Sequence, residues 1–229
     1  MYLKLLTVIV GCLSFLQAME IPSQEKELRL FIAANIPDTV LFTNIQKFTA
    51  KTINSLLASK NGQFVPEFIH LSLLFIGGVP QSKVKQVIQA VQEAVTLFVN
   101  TKGKGALQSL SIAPGASILG KNAVVMDVKD PLRVLELLFI HLYNQVVKVV
   151  KPAQILPWKG HITLGRIQPL SLATNPTVKN FLPDINPPLG ARGELINPAE
   201  TFTINQIALY KSEYKQGQSV YTPLINFAL

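Results

Sequence analysis

His70-Leu71-Ser72-Leu73-Leu74-Phe75 and His161-Ile162-Thr163-Leu164-Gly165-Arg166 decide how the rest of the chain reads. Both are short, apolar and bounded by residues that end strands. In a strand, residues i and i+2 share a face. His70 therefore points with Ser72, and His161 with Thr163, while Leu71, Leu73, Ile162 and Leu164 point the other way, into a core. An apolar strand that turns two polar side chains to one face needs a reason, because burying either one unpaired costs about 1–3 kcal/mol. One His-x-Thr is cheap by chance. Here two of the chain's three histidines open the same apolar pattern with a hydroxyl at i+2, and the pair reads as a site. The third, His141, lies in an apolar stretch of helical character with no repeated partner, and reads as structural.

Working outward, residues 28–33 are an apolar strand followed by the turn residues Asn35-Ile36-Pro37-Asp38. Residues 39–59 carry Val40, Ile45, Phe48, Ile53, Leu56 and Leu57 at helical spacing and stop at Lys60-Asn61-Gly62. The first histidine strand covers 68–75 and ends at Gly77-Gly78. Ser82 is expected to cap a helix that runs to about residue 98, with Val84, Val87, Ile88, Val91 and Val95 on its apolar face. Residues 106–112 and 123–128 read as two strands joined through Gly115 and Gly120. Asp130-Pro131 is expected to open a helix that reaches about residue 150, with Pro131 in its first turn. Beyond Pro152 and Pro157 comes the second histidine strand, 161–167. Residues 171–198, rich in Pro and Asn, read as an irregular excursion. Two final strands, 202–210 and 221–227, flank a turn at Lys215-Gln216-Gly217. Helices and strands are mixed, with strands also adjacent in sequence, which favours an α+β fold. The halves rhyme, each holding a helix and a strand that opens on histidine, as a duplicated unit would.

A length of 229 residues, 48% hydrophobic and only 15% charged, is ample for a core and too apolar for disorder. The formal charge of +8, from 21 Lys and Arg against 13 Asp and Glu, attracts polyanions. There is no Arg-rich tract to form a duplex-binding stripe; the arginines are Arg29, Arg133, Arg166 and Arg192. Lys4, the apolar run 5–16 and Gln17-Ala18 read as a signal peptide over residues 1–18, too short to span a bilayer easily. Cys12 is the only cysteine. A chain cleaved after Ala18 has none, which excludes disulfides, thiolate catalysis and Cys-based zinc sites. It loses Lys4 and no acid, so the charge becomes +7. The cleaved protein is expected to be secreted or periplasmic, the uncleaved one cytoplasmic, and no stable membrane insertion is expected once the signal is removed.

The residue types suit acid–base chemistry on a phosphate. A neutral imidazole can activate water while an imidazolium protonates the departing oxygen. Hydroxyls and the planar fork of Arg166 can hold the non-bridging oxygens. In a regular strand Arg166 would point away from His161; Gly165 could mark a bulge that re-aims it. Two histidines with no carboxylate or thiol nearby in sequence make a poor metal set.

On these motifs the chain resembles the two-histidine (2H) phosphoesterase superfamily, and within it the bacterial RNA 2′,3′-cyclic phosphodiesterases, also called the 2′-5′ RNA ligase family. The resemblance is carried by Leu28-Arg29-Leu30-Phe31-Ile32-Ala33, by Phe64-Val65-Pro66 with residues 69–77, by residues 161–166, and by residues 207–212 with Tyr221. It implies a single bilobal domain over residues 28–229, built of pseudo-symmetric duplicated antiparallel sheets with helices outside and a central cleft (LigT-like). It implies opening of a terminal 2′,3′-cyclic phosphate on RNA or a nucleotide to a 2′-phosphate, without metal or cofactor. His70 would be the general acid and His161 the general base, or the reverse. Ser72, Thr163 and Arg166 would grip the phosphate, and Phe75 would line the site. RNA 3′ ends or cyclic nucleotides are the expected substrates, and the protein is expected to act as a monomer. Another phosphoester, such as ADP-ribose cyclic phosphate or a 2′-5′ oligonucleotide, is an alternative, as is non-catalytic binding of RNA ends. The chain departs from the pattern at Ser72, usually Thr, at Gly160, usually Pro, and in the length of the segment 170–198.

Overall fold

The strand expected around His70 extends in both directions, from Gly62 to Pro80. The computed structural model describes residues 25–36, 43, 62–113, 117–119, 123–154, 157–169, 201–215 and 218–229. Within these, the order is β1 (Glu27–Asn35), β2 (Gly62–Pro80), a 3-10 turn (Gln81–Lys83), α1 (Val84–Lys102), β3 (Leu110–Ile112), β4 (Ser117–Leu119), β5 (Ala123–Lys129), α2 (Val134–Val146), β6 (His161–Pro169), β7 (Thr201–Phe202), β8 (Gln206–Lys215) and β9 (Gln218–Ala228). Of the helix expected over 39–59 only Thr43 is described, and it is helical. The signal peptide over 1–18 and the excursion 171–198 lie outside the described residues.

Every strand pairing is antiparallel, and the ladder runs β7-β3-β5-β6-β2-β1-β8-β9, with β4 on β5. The fold is α+β, an antiparallel sheet with two helices among the described residues. The two histidine strands, β2 and β6, are neighbours at its middle. Three residues, 203–205, carry the chain from β7 to β8. A flat sheet would place those strands six spacings, about 29 Å, apart, whereas four residue steps reach about 14 Å at most. The ladder therefore curls, and its ends approach each other. Ile204 donates its N–H to the Leu107 carbonyl (2.9 Å) and Leu229 to that of Asn205 (2.9 Å), which ties this crossing down.

One face of the sheet packs on the helices. Val87, Ala90, Val91, Ala94, Val95 and Phe98 of α1 recur at three- and four-residue spacing and are buried, as are Val134, Leu135, Leu138, Phe139, Leu142 and Val146 of α2. With Leu30, Ile32, Leu71, Leu73, Ile162, Leu164, Ile207 and Leu209 they form one continuous core. The opposite face carries a second, smaller apolar cluster of Phe31, Ala33, Ala208 and Tyr210, with Phe75 and Tyr221 against it.

Several boundaries differ from the sequence reading: the helix expected to reach about residue 150 ends at Val146, and the strand expected over 202–210 is broken at 203–205. Ser82 does not cap α1; it sits inside the 3-10 turn and its N–H goes to the Glu25 carboxylate (2.7 Å). α2 starts at Val134 rather than at Pro131, because Arg133 adopts a left-handed φ of 53° that breaks the helix there. Asp130 still serves the helix start, accepting the Leu135 N–H at 2.6 Å. The strand expected over 106–112 is confined to 110–112, since Gly105 (φ 72°) and Ser109 (φ 59°) both turn the backbone out of the extended region.

Candidate active site

The register of β2 against β6 builds the site. His70 lies directly opposite Thr163, and Ser72 directly opposite His161. Two imidazoles and two hydroxyls thus occupy alternate corners of a rectangle on the face away from the helices. The histidines sit on its diagonal, at a Cα separation of roughly 7–8 Å in such a ladder. The flanking strands repeat the symmetry. Asn35 of β1 pairs with His70 and Asp127 of β5 with His161; Ala33 pairs with Ser72 and Val125 with Thr163.

Each histidine strand breaks its alternation at the same place. Along β1 the register steps from Ala33–Ser72 to Ile32–Leu74, leaving Leu73 extra. Along β5 it steps from Val125–Thr163 to Val124–Gly165, leaving Leu164 extra. Leu73 and Leu74 are both buried in the core. A bulge shifts the parity of every later residue in its strand. Phe75 and Arg166, which strict alternation would send to the helix side, both line the cleft with the histidines. They are pseudo-symmetric counterparts, one apolar and one cationic. Beyond Ser72, β2 loses β6 as a partner, and residues 153–154 take its place. The Ala153 N–H donates to the Ile76 carbonyl at 2.9 Å and the Phe75 N–H to Gln154 Oε1 at 3.1 Å.

Both imidazoles are oriented in the same way. Nδ1 of His70 lies 2.6 Å from the Phe68 carbonyl and Nδ1 of His161 lies 2.8 Å from the Lys159 carbonyl. A carbonyl only accepts, so each Nδ1 carries the proton. Nε2 of each ring is then the nitrogen that can take up or give a proton.

The surroundings of the two rings differ. His70, with 4% of its surface exposed, is enclosed by aromatics. Phe68 stacks on it at 5.8 Å and 12°, and Phe31 (5.4 Å) and Tyr221 (5.6 Å) close other sides. Tyr210 stacks on Phe31 (5.2 Å) and donates its hydroxyl to Asn35 Oδ1; burial raises its phenol pKa. His161 is half-buried beside charge. Lys159 pairs with Asp127 at 2.5 Å. Burial lowers the His161 pKa below the ordinary 6.5; its bond to the Lys159 carbonyl and the Asp127 charge oppose this, and the Lys159 charge adds to it.

All six residues singled out in the sequence line one cleft of about 840 Å³, His70, Ser72, Phe75, His161, Thr163 and Arg166 together, within the usual size of a small-ligand site. His141 lies elsewhere, its ring against Phe98 of α1 at 6.5 Å. Sequence reasoning missed Arg29, Phe31, Asp127, Lys159, Tyr214 and Tyr221, which line the same cleft. Arg29 left a trace, as the one charge within the apolar run 28–33. The others become visible only through cross-strand register. Gly160, where proline is usual in the resemblance, lies under Trp158; an added Cβ would stand 3.2 Å from that ring. Among the described residues no three His, Cys, Asp or Glu gather as a metal set.

No protein-family model and no curated protein sequence matches the chain. Solved structures do. Escherichia coli LigT in complex with NADP+ superposes with a TM-score of 0.59 at 23% identity, over 89% of this chain and 99% of that one. A protein described as a phosphoesterase gives 0.59 at 22%, again over 89% and 99%. Usb1 of Kluyveromyces marxianus gives 0.52 at 14%, over 89% of this chain and all of its own. The chain is similar to these in fold, and that fold is the LigT-like one.

Proposed function

We propose that a chain with this fold and this quartet is a phosphodiesterase of the two-histidine type, which opens a 2′,3′-cyclic phosphate on RNA or a nucleotide to a 2′-phosphate. The observation that carries the reading is the pair of imidazoles held alike by Nδ1–H···O=C bonds, each facing a hydroxyl across the β2–β6 seam. The neighbours' own ligands accord with it, since LigT has been crystallised with ATP, with 3′-AMP and with phosphate.

In this mechanism the cyclic phosphate sits between the histidines. Ser72 and Thr163 donate hydroxyl hydrogens to its non-bridging oxygens, and Arg166 neutralises the charge that grows on them. Nε2 of His161 takes a proton from water as the water oxygen attacks phosphorus. Nε2–H of protonated His70 gives its proton to the 3′ oxygen as the P–O3′ bond breaks. The products are a 3′-hydroxyl and a 2′-phosphate, with the two histidines exchanged in protonation. His161 is assigned the base because its surroundings favour the neutral ring. No metal enters any step. A secreted or periplasmic site of action remains part of the proposal, resting on residues 1–18.

The test is hydrolysis of a short RNA ending in a 2′,3′-cyclic phosphate, with a chelator present. The expected result is a 2′-phosphate end, with His70→Ala and His161→Ala each lowering kcat/KM by about 100-fold or more in a folded protein. Undiminished turnover by both variants would falsify the assignment.

A further inference from the structure

The twin bulges put Phe75 where pseudo-symmetry puts Arg166, so the first lobe supplies a ring at the point where the second supplies a guanidinium. The first lobe nonetheless has a cation there. Arg29 of β1 places its Cζ 4.9 Å from the centroid of the Phe75 ring, and both residues line the cleft. Among the described residues no carboxylate pairs with Arg29. Glu213 faces the same cleft, but its carboxylate is held by Lys211 (2.9 Å) and Lys215 (3.1 Å), so that trio adds net positive charge. A guanidinium resting on a ring uses none of its five N–H donors to do so, and phosphate is the ligand whose geometry that fork matches.

We propose that Arg29, laid on Phe75, is a second phosphate-binding point, which takes the phosphodiester on the 5′ side of the terminal nucleotide. The proposal rests on the reaction argued above and names its substrate class: an oligonucleotide end in preference to a cyclic mononucleotide. Position supports it. On the cleft face of β1, Ala33 pairs with Ser72, and Arg29 lies four residues further, roughly 13 Å along the strand. Its guanidinium folds back over Phe75, which pairs with Phe31, two residues nearer the histidines. The second cation therefore lies one step along the cleft from the reacting phosphate, beyond the oxygens that Arg166, Ser72 and Thr163 would hold. A mononucleoside cyclic phosphate has nothing to place there.

Three substrates decide the matter: adenosine 2′,3′-cyclic phosphate, the dinucleotide ApA ending in a 2′,3′-cyclic phosphate, and the same dinucleotide with a neutral methylphosphonate link. The unmodified dinucleotide is expected to exceed both others in kcat/KM by roughly tenfold, the order of one charge-assisted contact at an exposed site. Arg29→Gln is expected to bring the ratio between the charged and neutral dinucleotides near one, and Arg29→Lys to restore part of it. Because Arg29 is exposed, these variants test the contact rather than the fold. Phe75→Leu, which removes the platform and keeps the cation, is expected to lower the ratio partway. Equal turnover of charged and neutral dinucleotides by the unmodified chain would overturn the Arg29 subsite and leave the proposed reaction standing. Failure to open any of the three would overturn both.

Discussion

His161 and His70 share a strand motif and a backbone tether, yet they face different environments, and in acid–base catalysis the environment assigns the role. Around His161 the largest influence is burial, which disfavours the charged ring. A base works only when neutral. In the proposed mechanism activity should therefore be lost as pH falls through its pKa, and the acid limb of kcat/KM should lie below the ordinary histidine value of 6.5, while the need for a protonated general acid sets the alkaline limb. Asp127, opposite His161 on β5, works against the lowering, and it also pairs with Lys159. Asp127→Asn removes a charge that favours the imidazolium and leaves the Lys159 cation, which disfavours it, without its partner. Both changes act in one direction, so the acid limb of this variant should move to still lower pH. A pH profile of kcat/KM for the two proteins checks this, and a limb that moves upward would show that His161 is not the group being titrated.

At the scale of elements, the histidine strands were legible because period-2 patterning is strong when polar residues interrupt an apolar run. His70 with Ser72, and His161 with Thr163, follow from that alone. Phe75 and Arg166 do not. Their side chains reach the cleft only because Leu73 and Leu164 are each taken up in a bulge, and an extra residue in a ladder leaves no mark on hydrophobicity when it is a leucine in a leucine-rich strand. Gly165 hinted at the second bulge; nothing hinted at the first. Arg133 and Ser109 hid their breaks for a similar reason, since left-handed backbone at a non-glycine residue has no compositional signature. The segment that holds the first bulge can be tested at Gly77. It has φ of 89°, and an added Cβ would stand 2.9 Å from that of Ala153, whose N–H is bonded to Ile76. Gly77→Ala should cost about 1–3 kcal/mol from backbone strain and the displaced contact, read as a lower urea midpoint. It should also lower kcat/KM, because the 153–154 segment holds the backbone of Phe75. Unchanged stability would mean that the segment yields freely and does not fix the bulge.

At the scale of the molecule, the two pseudo-symmetric halves meet in the middle of one ladder, not across a hinge. The β2–β6 seam carries the quartet of His70, Ser72, His161 and Thr163 on one face. On the other face Leu71 lies directly opposite Ile162, both fully buried, in a core that includes side chains from both helices and from β1 and β8. The spacing of the histidines is thus set by strand register, and the lobes cannot tilt apart without breaking backbone pairs beneath the site. This makes cooperativity a functional matter. Leu71→Ala should cost about 2–5 kcal/mol, as truncation of a fully buried leucine does. If the seam joins the halves into one unit, the loss should register equally in both. Trp158, the only tryptophan, stacks on Phe139 of α2 at 5.3 Å and reports the second half by fluorescence. Amide exchange in the β8–β9 hairpin reports the first. The two probes should coincide in one transition before the substitution and again after it, displaced by the same amount. A Trp158 transition that separates from the exchange of β8 and β9 would mean that the halves open independently, and the fixed diagonal between His70 and His161 would then have to be formed anew each time a substrate binds.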